Sequence, residues 1–182
     1  ETADLLYSVK LSKKVKCKVV SLVNVMGSSL MRASDETILT KAGPEICVLS
    51  TKAYLSQLAA LIMISFAMKK ELSLGKKIIN NIAADIKEIL AEESLKKIKL
   101  IAKKLSKTKN IYGLGRGVNF ATSLEACLKI KEVSYIHAEG FSGADLKHGP
   151  IALIEGGVPV IVFVAKDGSE REIISNAMEV RA

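Results

Sequence analysis

Residues 110–150, NIYGLGRGVNFATSLEACLKIKEVSYIHAEGFSGADLKHGP, pass from a short apolar segment through a glycine-rich turn into a long helical pattern. Asn110 to Leu114 is predicted as a strand, and Gly113-Leu114-Gly115-Arg116-Gly117 leads out of it into that helix. Because a helix turns about 100° per residue, Glu125, Lys129 and Glu132, at i, i+4 and i+7, fall on one narrow stripe. Phe120, Ala121, Leu124, Ala126, Cys127, Leu128, Ile130 and Val133 cover most other directions, so the helix is expected to pack on several sides. Two carboxylates and an ammonium facing a protein-lined space would supply proton transfer and anion stabilisation. The same triplet also suits an exposed Glu-to-Lys pair with one more charge beside it, and spacing alone favours that plainer reading.

Elsewhere the same alternation recurs. Residues 2–14 have helical spacing, and Cys17 to Val23, CKVVSLV, is a continuous β-branched run of the kind buried on both faces of a parallel sheet. A strand is expected at Glu36 to Thr40, with Asn24 to Asp35 and Lys41 to Leu49 as loops, and a long apolar helix runs to about Met68 with Ser50 or Thr51 as its N-cap. Two charged amphipathic helices fill Leu74 to about Lys107, then come the segment quoted above, a strongly apolar strand at Val158 to Ala165, and a helix from Ser169. This order predicts an α/β chain of two partial units, parallel sheets flanked by helices, divided as residues 1–70 and 71–182. In such sheets ligands bind beyond the C-terminal strand ends, which marks the turn Val48 to Thr51 as a place for an anion, or simply as a helix cap.

Composition narrows the function classes. Lys and Arg outnumber Asp and Glu by 27 to 19, a net charge of +8, but the surplus lies on helical surfaces, aromatics make up 4%, and Arg occurs only four times. Solvated lysines that help attract a phosphate-bearing small molecule fit this better than nucleic acid does. The longest apolar run, Leu58 to Met68, is well short of the ~20 residues of a membrane span, so it is expected to be a core helix. Cys17, Cys47 and Cys127 form no CxxC pair and read as buried thiols of a reducing, cytoplasmic protein. The chain opens at Glu1 and closes within a helical pattern at Ala182, so it is read as part of a longer protein.

Two further patterns are set aside. Gly113, Gly115 and Gly117 make GxGxG rather than GxGxxG, and no acidic residue ends a following strand; tight strand-to-helix packing explains them better than a phosphate cradle, and no cofactor is expected. His137 and Glu139 form an H-x-E without the PCxxC partner of a zinc deaminase, so His137 is read as structural and no metal is expected.

Three longer segments carry a resemblance. LEACLKIKEVSYIHAE with DLKHGP, AGPEICVLSTKAY at residues 42–54, and GSSLMRASDE at residues 27–36 resemble the isomerase half of the glutamine–fructose-6-phosphate aminotransferase family, in order over nearly the whole chain. That family builds its isomerase from two sugar-isomerase (SIS) domains, each a parallel sheet flanked by helices. The resemblance implies conversion of fructose 6-phosphate and ammonia to glucosamine 6-phosphate. It assigns Glu132 the proton transfer between C1 and C2, places Lys129 beside it, and gives His148 ring opening from across a dimer interface. It makes Val48 and Ser50 sugar contacts, and Thr2 the last phosphate ligand of a loop of which only Glu1 and Thr2 are present here.

The resemblance also implies partners. The phosphorylated sugar is the substrate, ammonia comes from a glutaminase domain this chain lacks, and the protein is a homodimer that uses neither nucleic acid nor membrane. A Schiff-base lysine of the family's C-terminal tail and most of the phosphate loop have no counterpart here, so the chain alone is expected to be inactive in synthesis. Two other readings stay open: an SIS-type module that senses a phosphosugar, and a stand-alone glucosamine-6-phosphate deaminase. The lysine–carboxylate stripe and the LKHGP turn favour catalysis over sensing.

Overall fold

A computed structural model describes residues 2–181, and the chain in it is α/β with every strand pairing parallel. It divides into two compact units, one extending to Glu88 and the other beginning at Ile89. In the first unit the elements are α1 (Ala3–Lys14), β1 (Val20–Val23), α2 (Ser29–Ala33), β2 (Glu36–Leu39), α3 (Lys52–Met68) and α4 (Leu72–Ile89). Strands β1 and β2 pair from Val20 opposite Glu36 to Val23 opposite Leu39.

Asp35 fixes the entry to that sheet. Its carboxylate accepts from the amide of Val19 at 2.7 Å and pairs with Lys13 at the end of α1. Burial alternates along β1, with Ser21 and Val23 inside and Val20 outside, so the strand has one covered face and not the two its β-branched run suggested. The predicted loop at residues 24–35 contains α2, started by Ser28, whose hydroxyl accepts from the amide of Met31 at 3.3 Å. Helix α3, expected as a core helix, buries only Ala53 and leaves Leu55, Leu58 and Leu61 substantially exposed within this chain.

The second unit contains α5 (Glu92–Leu105), β3 (Asn110–Gly115), α6 (Val118–Ser134), β4 (His137–Ser142), 3-10 turns at Leu146–His148 and Pro150–Leu153, β5 (Val160–Val162) and α7 (Glu170–Glu179). The sheet order is β4-β3-β5. Ile111 and Leu114 point to opposite faces of the central strand: Ile111 packs with Cys127 of α6 and Ala138 of β4, and Leu114 with Leu146 and Ile173 of α7. Helices therefore cover both faces of β3, as a buried parallel strand requires.

The glycines of β3 permit this packing. A Cβ on Gly113 would lie 2.6 Å from the Cys127 sulfur, and one on Gly115 would lie 1.9 Å from the carbonyl oxygen of Asn119. Bare backbone is what lets α6 lie this close to the strand.

Further sequence expectations need correction in the second unit and at the cysteines. Strand β4 was not anticipated, because HAEGFS has neither alternation nor β-branched residues and is held by its ladder to β3. The predicted strand at 158–165 shrinks to Val160–Val162, half-buried at the sheet edge. Cys127 is buried, but Cys17, in the turn after α1, and Cys47, in the loop before α3, are exposed.

Candidate active site

Helix α6 is seated on the sheet by Ser123 and Cys127, both buried, and it begins at Gly117, whose φ of +55° suits glycine. About two turns beyond Ser123, the stripe of charge is closed on itself. The Lys129 Nζ donates to Glu132 Oε2 at 2.8 Å and lies 3.4 Å from Glu125 Oε1, and the three side chains are 23 to 27% exposed. The triplet is thus half-buried, between the solvated row and the enclosed space that the spacing allowed. The helix is not packed on several sides within this chain: Leu124, Leu128 and Val133 are 46, 40 and 57% exposed, because α6 meets the sheet with one face only.

Hydrogen bonding to Glu132 above all, aided by Glu125, raises the Lys129 pKa against the opposing effect of burial. Lys129 is therefore held as an ammonium and is no amine nucleophile. It can neutralise charge building on a substrate oxygen, and the carboxylate beside it can carry a proton.

His148 closes the turn Leu146–His148 and is exposed, its amide donating to the Asp145 carbonyl at 2.9 Å. Among the described residues no hydrogen bond joins its side chain to the triplet. His137 and Glu139 are exposed along β4, and among the described residues no group of His, Cys, Asp or Glu is arranged to hold a metal ion. No described helix is long and apolar enough to cross a membrane.

In the first unit, Thr2 precedes α1 and helps line a cleft of about 280 Å³ with Leu22 to Val25 at the C-terminal end of β1 and with Ser28 of the α2 cap. Glu1 lies outside the described residues. A second cleft, about 660 Å³, shares Asn24 and Val25 and is otherwise lined by Met26, Gly43, Pro44, Glu45 and Ala53. Val48, 84% exposed, and Ser50, also exposed, stand in the loop before α3 and line neither cleft. The N-cap position is Thr51, without a side-chain cap bond.

Two residues that the sequence did not single out organise this end. Asn24 accepts from the Thr40 hydroxyl at 3.0 Å and the Ala42 amide at 2.9 Å, and donates to the Gly43 carbonyl at 2.7 Å. Glu45 accepts from the Ala53 amide at 2.9 Å, closing the first turn of α3. An Asn directly after a β-branched strand was the available signal for the first; nothing local marks the second.

The SIS domain model matches residues 1–67 and 104–182. The chain is 42% identical over its whole length to glutamine–fructose-6-phosphate aminotransferase [isomerizing] of Pyrococcus horikoshii, covering 31% of that protein, and 41% identical to that of Chlorobaculum tepidum, covering 30%. It therefore spans about a third of the length of the curated relatives it matches. Among solved structures, the C-terminal domain of glucosamine-fructose-6-phosphate aminotransferase from Francisella tularensis superposes with a TM-score of 0.92 at 35% identity, over 99% of this chain and 52% of that one. With its parallel sheets, its glycine-packed β3–α6 unit and these matches, the chain belongs to the SIS domain family and corresponds to the SIS portion of the glutamine–fructose-6-phosphate aminotransferases.

Proposed function

We propose that this chain carries the sugar-isomerising centre of an enzyme that converts fructose 6-phosphate and ammonia to glucosamine 6-phosphate. The observation that supports it most is the half-buried placement of Lys129 between Glu125 and Glu132 on a helix braced by a sheet. Glu132 takes the proton from C1 of the open-chain imine and returns it to C2, which one carboxylate can do from a single face of the enediol-like species. Lys129, held as an ammonium, offsets the negative charge that develops on the sugar oxygens. His148 opens the sugar ring; its exposed position suits a group that serves the site of a second subunit in a homodimer.

Thr2, Val48 and Ser50 are assigned to phosphate and sugar binding, Thr2 through the cleft at the end of β1. Ammonia comes from a glutaminase domain of the full-length protein, and the setting is the cytoplasm. Glu132→Gln in the full-length protein tests the reading. It abolishes fructose 6-phosphate isomerisation and leaves glutamine hydrolysis near its wild-type rate; isomerisation at the wild-type rate would remove Glu132 from the mechanism. Release of ammonia from glucosamine 6-phosphate without any glutaminase activity would point to a deaminase instead.

A further inference from the structure

The turn that ends in His148 is tied to α7 at several points. Leu146 is fully buried against Leu114 of β3 and Ile173 of α7. Upstream of it, the amide of Gly143 donates to the Gly115 carbonyl at 2.8 Å, extending the β3–β4 ladder by one bond. A Cβ on Gly143 would lie 2.7 Å from Asn176 Oδ1 and 3.2 Å from Ile173 Cδ1, so α7 rests directly on the backbone of this segment. Lys147, the residue before His148, places its Nζ 2.9 Å from Glu179 Oε1. The other oxygen of that carboxylate accepts from Asn176 Nδ2 at 3.3 Å.

Asn176 is an expensive residue to keep there. It is 8% exposed, and its Oδ1 is buried with no hydrogen-bond partner among the described residues. An unpaired buried amide oxygen costs free energy that an apolar side chain of similar size would not. What the amide supplies in return is its Nδ2 bond to Glu179, the carboxylate that holds Lys147. The Lys147 ammonium, chiefly, holds the Glu179 carboxyl below the usual carboxylate range, so the pair stays charged.

We infer that Glu179 and Asn176 are positioning residues: through Lys147 they clamp the Leu146–His148 turn to α7 and set the place from which His148 acts. The inference rests on the reading of His148 as the group that opens the sugar ring. It goes beyond that reading by assigning two residues of α7 to the ring-opening step and not to the proton transfer at Glu132. Lys147 is largely exposed and Glu179 mostly covered, so the clamp is worth a modest factor in rate.

The test compares fructose 6-phosphate with a ketose phosphate lacking the 5-hydroxyl, which cannot form the furanose ring, as isomerisation substrates of the full-length protein. Glu179→Gln and Asn176→Leu are expected to lower kcat/KM for fructose 6-phosphate about fivefold and leave the open-chain analogue unaffected. Asn176→Leu is also expected to keep or raise the unfolding temperature, because it removes the orphan oxygen, and this separates the rate effect from damage to the fold. Equal loss on both substrates, or loss on neither, overturns the positioning role. His148→Asn, run in parallel, loses activity on fructose 6-phosphate and keeps it on the open-chain analogue if the ring-opening reading holds; an unchanged rate on fructose 6-phosphate there overturns that reading itself.

Discussion

The carboxylate of Glu45 accepts the backbone amide of Ala53 at 2.9 Å, so an acid from the preceding loop, and not Ser50 or Thr51, satisfies the first turn of α3. A negative charge at a helix N-terminus gains from both the hydrogen bond and the aligned peptide dipoles. Glu45→Ala is therefore expected to lower stability by about 1 kcal/mol, and Thr51→Ala to change it by less than about 0.3 kcal/mol. Urea unfolding of the two variants checks this, and equal losses would mean that Thr51 is the cap after all.

Lys129 makes stability depend on pH at the alkaline end. Its pKa is raised in the folded chain, mainly by Glu132, from an ordinary value of 10.5. The ammonium's contribution is thus fully present below about 10.5 and is lost as the pH climbs through the higher folded value. With the three side chains about a quarter exposed, solvent screening limits that contribution to about 1 kcal/mol. Lys129→Met should lose this much at pH 7, and the gap to wild type should narrow as the pH rises beyond 10.5. A gap that stays constant across that range would show the loss to be one of packing, not charge.

How far the sequence reached depends on where its physics is local. The strand–glycine–helix passage from Asn110 to Ser134 was legible because the short apolar run, the glycine spacing and the helical period all lie within the segment. Strand β4 was not, since HAEGFS is a strand only through its neighbour β3, and pairing is a tertiary fact. The Glu125–Lys129–Glu132 contacts follow from helical spacing, but their half-burial does not, because what covers a stripe depends on elements distant in sequence. Asn24 and Glu45 were missed for the same reason: Asn24 reaches sixteen to nineteen residues ahead and Glu45 eight. Val48 and Ser50 took their sugar contacts from the resemblance and their place in an anion turn from the expected strand end, and within this chain they stand in solvent.

The thiols should separate by reactivity. Cys17 and Cys47 are exposed, whereas Cys127 is buried on the sheet-facing side of α6 and burial pushes its thiol pKa up, so less thiolate forms at a given pH. Alkylation of the native protein by iodoacetamide at pH 8, mapped by mass spectrometry, is expected to modify Cys17 and Cys47 well before Cys127. Early modification of Cys127 would mean that α6 lifts from the sheet readily. That outcome would also weaken the idea of a rigid helix holding Glu132 in place.

The closest approach of that helix to the sheet is at Gly115, and it gives the most severe of these outcomes. An added Cβ would sit 1.9 Å from the carbonyl oxygen of Asn119, a backbone atom in the first turn of α6 that cannot swing aside as a side-chain tip would. Gly115→Ala must therefore push α6 away from β3, and overpacking of this kind costs on the order of 3 kcal/mol. At Gly117 nothing lies within 4 Å of the added atom and only the positive φ opposes a side chain, so Gly117→Ala is expected to cost about 1 kcal/mol. Displacing the helix also displaces Glu132 and Lys129, so Gly115→Ala should lose isomerisation out of proportion to its lost stability, as read by comparing kcat with the unfolding midpoint in both variants. If Gly115→Ala proves as mild as Gly117→Ala, the seat of α6 on the sheet is looser than these contacts require, and the glycine turn is left without its packing role.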